Sequence, residues 1–256
     1  MTENAAEPVL DTEAVLGRLW ERNYDPATQG IIEDLPLEPH WRCLDVGAGL
    51  GSMSYWMSER AHRGSVLALD VETHNIDERR APNLSVRRAD VTEADFEPRS
   101  FDLVLFRAVL SYLSDPEELV ARAARWLSPG GWMVAEDFYF MPSEDGPSAL
   151  GRKVVDAYTK GASEGGMDMR MARRLPAMLS GAGLDSVDLR LRPLGPGQGA
   201  EENELMRRRM ELQGQPLVDD GLLTSEEISE FNAMLERPEV RDVTTLQFSA
   251  WGQRTA

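Results

Sequence analysis

Short apolar runs alternate with amphipathic segments through the middle of this chain. Five runs have the length and composition of buried strands, at residues 42–46, 65–69, 84–89, 101–106 and 132–135. Between them, apolar positions recur at helical spacing, most clearly over 53–61 and 116–127. Strands that alternate with helices predict a parallel sheet in an α/β fold. Because right-handed crossovers bring the carboxyl ends of such strands to one edge, we expect a ligand site at that edge.

The segments on either side of this core are mostly helical. The pattern predicts helices at 12–22 and 25–35, with Asp25 and Pro26 opening the second. Six further elements are predicted after residue 140: helices near 150–159, 171–179 and 202–212, a helix that starts with a capping box at Thr224, and strands at 186–192 and 244–252.

The length of the chain bears on its domain organisation. A chain of 256 residues that is 42% hydrophobic can form one large domain with a lid or an insertion. We expect residues 1–35 to form a helical lid, frayed over 1–10, and residues 36–256 to form the main domain. Within that domain, we predict that the helical insertion at 197–242 covers the ligand site.

Charge and cysteine content narrow the choice of partner and compartment. The net charge is −17, and nucleic acids are held largely through Lys and Arg contacts to phosphate. We therefore expect neither nucleic acid nor an anionic membrane as a partner. Cys43 is the single cysteine, which excludes an intrachain disulfide and suits a small core residue. With no secretory signal pattern and no run long enough to span a bilayer, the chain is expected to be cytoplasmic.

The most informative motif follows the first predicted strand. Residues 44–52 read LDVGAGLGS and lead into a helix. Glycines at such a turn permit a close backbone approach, with free N–H groups aimed at a ligand. The dinucleotide fingerprint would place its third glycine at Ser52, whereas this chain has the spacing G-x-G-x-G. The motif thus departs from the dinucleotide fingerprint, and a bare structural turn is the alternative to a ligand-binding loop.

Two further acids stand where the second and third predicted strands end. Asp70 is in position to accept hydrogen bonds from ribose hydroxyls, and Val71 follows it. Asp90 and Val91 end the third strand in the same way. The alternative for either acid is a solvated turn residue or a helix N-cap.

Taken in order, these motifs resemble class I methyltransferases that use S-adenosylmethionine (SAM). The run at 100–107 and the sequence LSPGG at 127–131 extend the resemblance. Three other segments, at 25–28, 41–47 and 249–254, look like actinobacterial small-molecule methyltransferases, including enzymes of secondary metabolism and antibiotic biosynthesis. The resemblance implies a Rossmann-like fold: a seven-stranded, mostly parallel sheet of order 3-2-1-4-5-7-6, with the last strand antiparallel.

The resemblance also implies which residues meet the cofactor and the acceptor. Asp90 would take the adenine amino group, Val91 would pack on the ring, and backbone near 106–108 would hold the methionyl part. The full set expected at SAM is Tyr24, Asp45, Gly47, Ala48, Gly49, Gly51, Asp70, Val71, Asp90, Val91, Arg107, Ala108 and Tyr112. The set expected at the acceptor is Trp20, Tyr24, Tyr112, Tyr139, Tyr158 and Met167, for which core packing is the alternative.

Three side chains are candidates for a catalytic base. Glu136 and Asp137 follow the fifth predicted strand, and His74 follows the ribose acid. Structural acids and an exposed loop histidine are the plainer interpretations. A metal-dependent site would want an acid at the end of the fourth strand, where this chain has Phe106-Arg107-Ala108, so we predict no metal.

The function expected from these observations is methyl transfer from SAM to a small organic acceptor, such as a natural product or other secondary metabolite. The reaction is an in-line displacement in which positioning supplies much of the rate. Three alternatives remain: a protein methyltransferase, a non-catalytic SAM-binding protein, and an NAD(P)-dependent oxidoreductase. An oxidoreductase would be expected to have the G-x-G-x-x-G spacing and a catalytic Tyr-x-x-x-Lys pair, and nothing in this sequence resembles that pair. Oligomeric state is left open.

The glycine spacing generates a first prediction. SAM and S-adenosylhomocysteine should bind to this protein, and NAD and NADP should not, because the G-x-G-x-G turn is not the dinucleotide turn. Isothermal titration calorimetry with the four ligands measures the preference. Tighter binding of NAD or NADP would overturn the assignment.

Overall fold

Seven strands form one sheet in the computed structural model, which describes residues 12–255 of the chain. The strands are β1 (Arg42–Val46), β2 (Ser65–Asp70), β3 (Leu84–Arg88), β4 (Phe101–Arg107), β5 (Leu127–Phe140), β6 (Asp185–Leu194) and β7 (Thr245–Gln253). Their order is β3-β2-β1-β4-β5-β7-β6, and β7 runs antiparallel to both of its neighbours. The predicted sheet order and the predicted antiparallel strand are confirmed. The predicted frayed segment at 1–10 lies outside the described residues.

Helices surround the sheet on both faces and beyond its carboxyl edge. The described residues form α1 (Thr12–Asp34), α2 (Ser52–Arg60), α3 (Pro116–Trp126), α4 (Ala149–Glu164), α5 (Leu175–Gly181), α6 (Ala200–Gln213), α7 (Gln215–Asp219) and α8 (Ser225–Leu235). Thr224 caps α8 through the predicted capping box. Among these helices, none is long and apolar enough to cross a membrane.

The central strands β1 and β4 are buried on both faces of the sheet, which explains why they read as continuous apolar runs. On β1, Leu44 and Val46 belong to the cluster that includes the apolar faces of α3 and α5. Cys43 belongs to the opposite cluster with residues of α1 and α2, and it is buried as predicted. A third cluster joins α4, α6, α7 and α8 into a small core of their own.

Among the element boundaries that differ from the sequence prediction, two lie beside the carboxyl edge of the sheet. The predicted break before Asp25 is wrong, because α1 continues through Pro26. A proline inside a helix removes one hydrogen bond, and contacts on either side offset that loss: Asp25 pairs with Arg107, and Thr28 donates to Glu136. The fifth strand does not end before 136, because β7 pairs with it as far as Phe140.

Helix α1 lies across the carboxyl ends of the central strands, and an ion pair holds it there. Arg107, the last residue of β4, lies 2.5 Å from the Asp25 carboxylate, and both side chains are largely buried. Further along, the side chains of Asn23 and Tyr24 both donate to Glu202 of α6. The amino-terminal helix and the 197–242 insertion therefore contact each other beyond the sheet edge.

The Arg107–Asp25 pair generates a stability prediction. Arg107→Met should lower the free energy of unfolding by about 3–5 kcal/mol, because it leaves a largely buried carboxylate without its partner. Chemical denaturation measures the change. The control is Arg190→Met, which breaks a pair with Asp34 whose side chains are 49% and 67% exposed. That change should stay below about 1 kcal/mol, and equal losses in the two variants would contradict the prediction.

Candidate functional site

The glycine loop between β1 and α2 has the backbone that its sequence requires. Gly47, Gly49 and Gly51 have φ values of +71°, +57° and +87°, the left-handed region that favours glycine. A β-carbon on Gly47 would stand 2.1 Å from a methyl of Val109, whereas a β-carbon on Gly49 would meet nothing within 4 Å. The loop is therefore packed tightly at its start and open at its middle.

Asp70 ends β2 and holds this loop in place. Its Oδ2 accepts a hydrogen bond from the Gly49 N–H at 2.8 Å, and its Oδ1 accepts one from the Glu72 N–H at 2.9 Å. The predicted ribose acid thus also orders the backbone on both sides of it. Each carboxylate oxygen has a second lone pair, so these bonds leave room for a ligand hydroxyl.

A cleft opens beside the loop, at the carboxyl ends of β1 to β4. Among the expected cofactor residues, these line it: Gly47, Asp70, Val71, Asp90, Val91, Ala108 and Tyr112. Val71 and Tyr112 are 55% and 60% exposed there, so an apolar ligand surface would remove both from water. The side-chain and backbone hydrogen bonds from Thr92 lower the pKa of Asp90, which keeps that carboxylate ionised as an acceptor.

Other expected cofactor residues lie elsewhere. Asp45 is buried, its Oδ2 accepts from the Ser54 hydroxyl at 2.6 Å, and burial raises its pKa. It secures the start of α2 and does not line the cleft. Ala48, Gly49 and Gly51 belong to the loop without lining the cleft, and Tyr24 does not line it either. Arg107 forms the ion pair with Asp25 of α1.

A second, largely aromatic cavity adjoins the cleft. It is lined by Trp20, Tyr24, Ala108, Tyr112, Phe138, Phe140, Gly151, Val154, Val155, Tyr158, Met167, Leu194, Pro196, Glu202, Met206, Arg209, Met210, Phe231, Thr244 and Thr245. Ala108 and Tyr112 line both spaces, so the cleft and the cavity meet there. The walls come from α1, α4, α6, α8 and the end of β5, segments that are distant in the sequence.

The alternation of side chains along β5 selects which aromatic residues reach the cavity. Phe138 and Phe140 face it, whereas Tyr139 points to the other side of the sheet and packs against Phe248 at 5.9 Å between ring centroids. Tyr139 therefore does not line the cavity, and this geometry does not favour the predicted contact between Tyr139 and the acceptor. The sequence prediction ended this strand too early to use its alternation.

Two charged residues of the cavity were not predicted from the sequence. Glu202 accepts hydrogen bonds at one oxygen from Asn23 and Tyr24, and burial raises the pKa of both Glu202 and Tyr24. Arg209 donates to the Tyr158 hydroxyl at 3.1 Å. Helix α6 is rich in Glu and Arg, so sequence reasoning gave no signal that these two charges face inward.

The three residues predicted as bases do not line either space. Both Glu136 oxygens are occupied, by hydroxyl donors from Thr28 and Ser249 at 2.5 Å each, and burial raises its pKa. His74 is exposed on the loop after β2. Glu136 thus holds structural hydrogen bonds and His74 lies on the surface, so neither position favours the predicted role as a base.

Asp137 supports the turn that separates the cleft from the cavity. Its Oδ2 accepts from the backbone N–H of Ser111 at 3.0 Å, and its Oδ1 accepts from the N–H of Phe138. Burial raises its pKa to about 6, against those hydrogen bonds. The neighbouring Ala108 donates its N–H to the carbonyl of Glu136, so this acidic pair positions residues 108–112.

Metal-binding groups are not assembled at this site. Within residues 12–255, no three side chains of His, Cys, Asp or Glu lie together as a metal-binding group. The chemistry of the site rests on the glycine loop, the strand-end acids and the aromatic cavity.

Comparison with curated proteins identifies the central part of the chain. Residues 44–135 match the family described as "Methyltransferase domain". Phosphoethanolamine N-methyltransferase 1 of Arabidopsis thaliana is 27% identical over 168 residues, which are 62% of this chain and 32% of the plant protein. The chain thus spans about a third of the length of that relative.

Solved structures share the fold over nearly the whole chain. Phosphoethanolamine N-methyltransferase 2 of Haemonchus contortus, in complex with phosphomonomethylethanolamine and S-adenosylhomocysteine, has a TM-score of 0.61 at 16% identity, covering 95% of this chain and 60% of that one. Geranyl diphosphate methyltransferase in complex with SAM has a TM-score of 0.61 at 16% identity, covering 97% and 93%. Residues 44–135 therefore match a methyltransferase domain, and the chain has the fold of these SAM-dependent methyltransferase structures.

Proposed function

We propose that this protein transfers the methyl group of SAM to a small organic acceptor. The observation that carries the proposal is the junction of two spaces at Ala108 and Tyr112. One space has the features of an adenosine site, and the other is aromatic and walled by helices. When bound, SAM would supply a methyl group on a sulfonium, and the acceptor would bond to that methyl carbon as the C–S bond breaks and S-adenosylhomocysteine leaves.

The residues of the cleft, and the glycine loop beside it, fit that cofactor. Gly49 leaves open space beside left-handed backbone, as a closely approaching ligand needs. Asp70 and Asp90 offer carboxylate oxygens at the strand ends, for ribose hydroxyls and for the adenine amino group. Val71 and Tyr112 offer exposed apolar surface between those acids and the cavity.

The aromatic cavity fits a small acceptor better than a protein side chain. Its walls include Trp20 and Tyr24 of α1, Tyr158 of α4 and Met206 of α6, so helices from three separate segments enclose it. Aromatic and methionine side chains supply large, adaptable apolar contact area. We propose that residues 1–35 and 197–242 act as a cover that excludes water from the acceptor.

The proposed mechanism relies on positioning and not on a base from this chain. Glu136 and Asp137 hold structural hydrogen bonds outside the lining of both spaces. Among the described residues, the carboxylate that lines the cavity is Glu202, which is engaged with Asn23 and Tyr24. The acceptor is therefore proposed to be a nucleophile that reacts without losing a proton to the protein first.

The finer acceptor class rests on sequence resemblance. The segments at 25–28, 41–47 and 249–254 look like those of actinobacterial small-molecule enzymes, which supports a secondary metabolite as the acceptor. The relatives named above act on other small molecules, as their names state, and they support small-molecule acceptors in general.

A turnover assay tests the proposal and the cover together. The protein is incubated with SAM and a panel of small carboxylic acids, phenols and amines, and mass spectrometry detects methylated product. A variant lacking residues 1–24 should stay folded, because Ile31 and Ile32 remain in the core, yet lose at least about tenfold in turnover as water enters and Trp20 and Tyr24 are gone. SAM binding with no turnover on any acceptor would favour a non-catalytic SAM-binding protein. If the shortened protein turned over as fast as the full chain, the proposed role of the amino-terminal segment as a cover would be rejected.

The glycine loop gives a matched pair of variants. Gly49→Val should weaken binding of S-adenosylhomocysteine by at least about tenfold, because a branched side chain would occupy space reserved for the ligand. The control is Gly183→Val, which has similar left-handed backbone at φ +80° and also meets nothing within 4 Å. Both variants should lose a similar stability, about 1–2 kcal/mol from backbone strain. Calorimetry that finds equal affinity in the two would contradict the cofactor assignment.

A further inference from the structure

Arg209 differs from the other arginines of its helix. In α6, Arg207 and Arg208 pair with Glu204 and Glu211 on the outer face. Arg209 lines the aromatic cavity, and its single described hydrogen bond runs from Nη1 to the Tyr158 hydroxyl. Within residues 12–255, no carboxylate lies within ion-pair distance of it. A half-buried guanidinium thus faces an apolar space with most of its N–H groups unpaired.

The edge formed by Nε and Nη2 is the part of Arg209 that lacks a partner. That edge presents two parallel N–H donors, the geometry that matches the two oxygens of a carboxylate. Unpaired charge at an apolar site is costly, so a ligand anion that completes these bonds gains a strong, directional contact.

The other charged groups around the cavity point to a monoanion. Glu202 is held by Asn23 and Tyr24, and it lies two turns before Arg209 on the same helix without forming an ion pair with it. Arg192, which lies behind Tyr24, directs both of its terminal nitrogens to Asn23. A doubly charged phosphate would need a second free cation, and Arg192 does not supply one.

We propose that Arg209 binds the carboxylate of an apolar or aromatic acceptor inside this cavity. The inference rests on the proposed function, since it names the class of molecule that the second space holds. The aromatic walls cover the body of the acceptor, and the guanidinium fixes its orientation relative to the junction at Ala108 and Tyr112. A neutral acceptor, or an amine held by Glu202, is the competing outcome.

Three probes of similar shape separate these outcomes: cinnamate, cinnamamide and cinnamylamine. Calorimetry measures their affinity for the protein loaded with S-adenosylhomocysteine, for Arg209→Gln, and for Glu202→Gln. Arg208→Gln is the matched control, because Arg208 is the adjacent residue and pairs with Glu211 on the outer face. Binding of S-adenosylhomocysteine is measured first, and its absence would reject the proposed function. The probes are then titrated into the protein alone, which still tests Arg209.

We expect cinnamate to bind at least about tenfold more tightly than cinnamamide, because charge-assisted hydrogen bonds are lost in the amide. That preference should disappear in Arg209→Gln and persist in Arg208→Gln. A preference that survives in Arg209→Gln would overturn the proposal. So would a preference for cinnamylamine that is lost in Glu202→Gln, or failure of all three probes to bind at millimolar concentration.

Discussion

The ion pair between Arg107 and Asp25 holds a 23-residue helix across the carboxyl edge of the sheet. Arg107 ends β4, and Trp20 lies over its guanidinium at 4.5 Å from the ring centroid. Since neither charge is stable alone in this largely buried position, the contact fixes where α1 lies. Tyr24 then reaches Glu202 of α6, and the helical insertion completes the wall of the cavity. Without that fixed helix, the strand ends would form an open groove.

Two buried acids of β5, Glu136 and Asp137, hold the segments around the cavity together. Glu136 joins α1 to β7 through Thr28 and Ser249, and Asp137 holds the turn at 110–112 through a backbone N–H. Burial raises the pKa of both acids, so ionising them costs free energy that their hydrogen bonds offset. The cleft and the cavity therefore meet at residues 108–112, and hydrogen bonds to Glu136 and Asp137 of β5 hold that segment in place.

The charge of the cavity contrasts with the charge of the chain. The sequence has a net charge of −17, yet Arg209, which has no ion-pair partner among the described residues, lines the cavity that adjoins the cleft. Most of the acidic residues face solvent, where water screens them, whereas the Arg209 guanidinium lies against aromatic rings at lower dielectric. A local cation can thus select an anionic ligand even within a strongly acidic protein.

The sequence by itself determined the sheet, its strand order through family resemblance, and the strand-end residues such as Asp70 and Asp90. These follow from local patterns: apolar runs, glycine spacing, and acids at fixed points. Only the tertiary structure decided that Glu136 is structural, that Phe138 reaches the cavity instead of Tyr139, and that Arg209 faces inward. Each depends on contacts between segments far apart in the chain, and no local pattern records which distant partner satisfies a buried charge or which strand extends its neighbour.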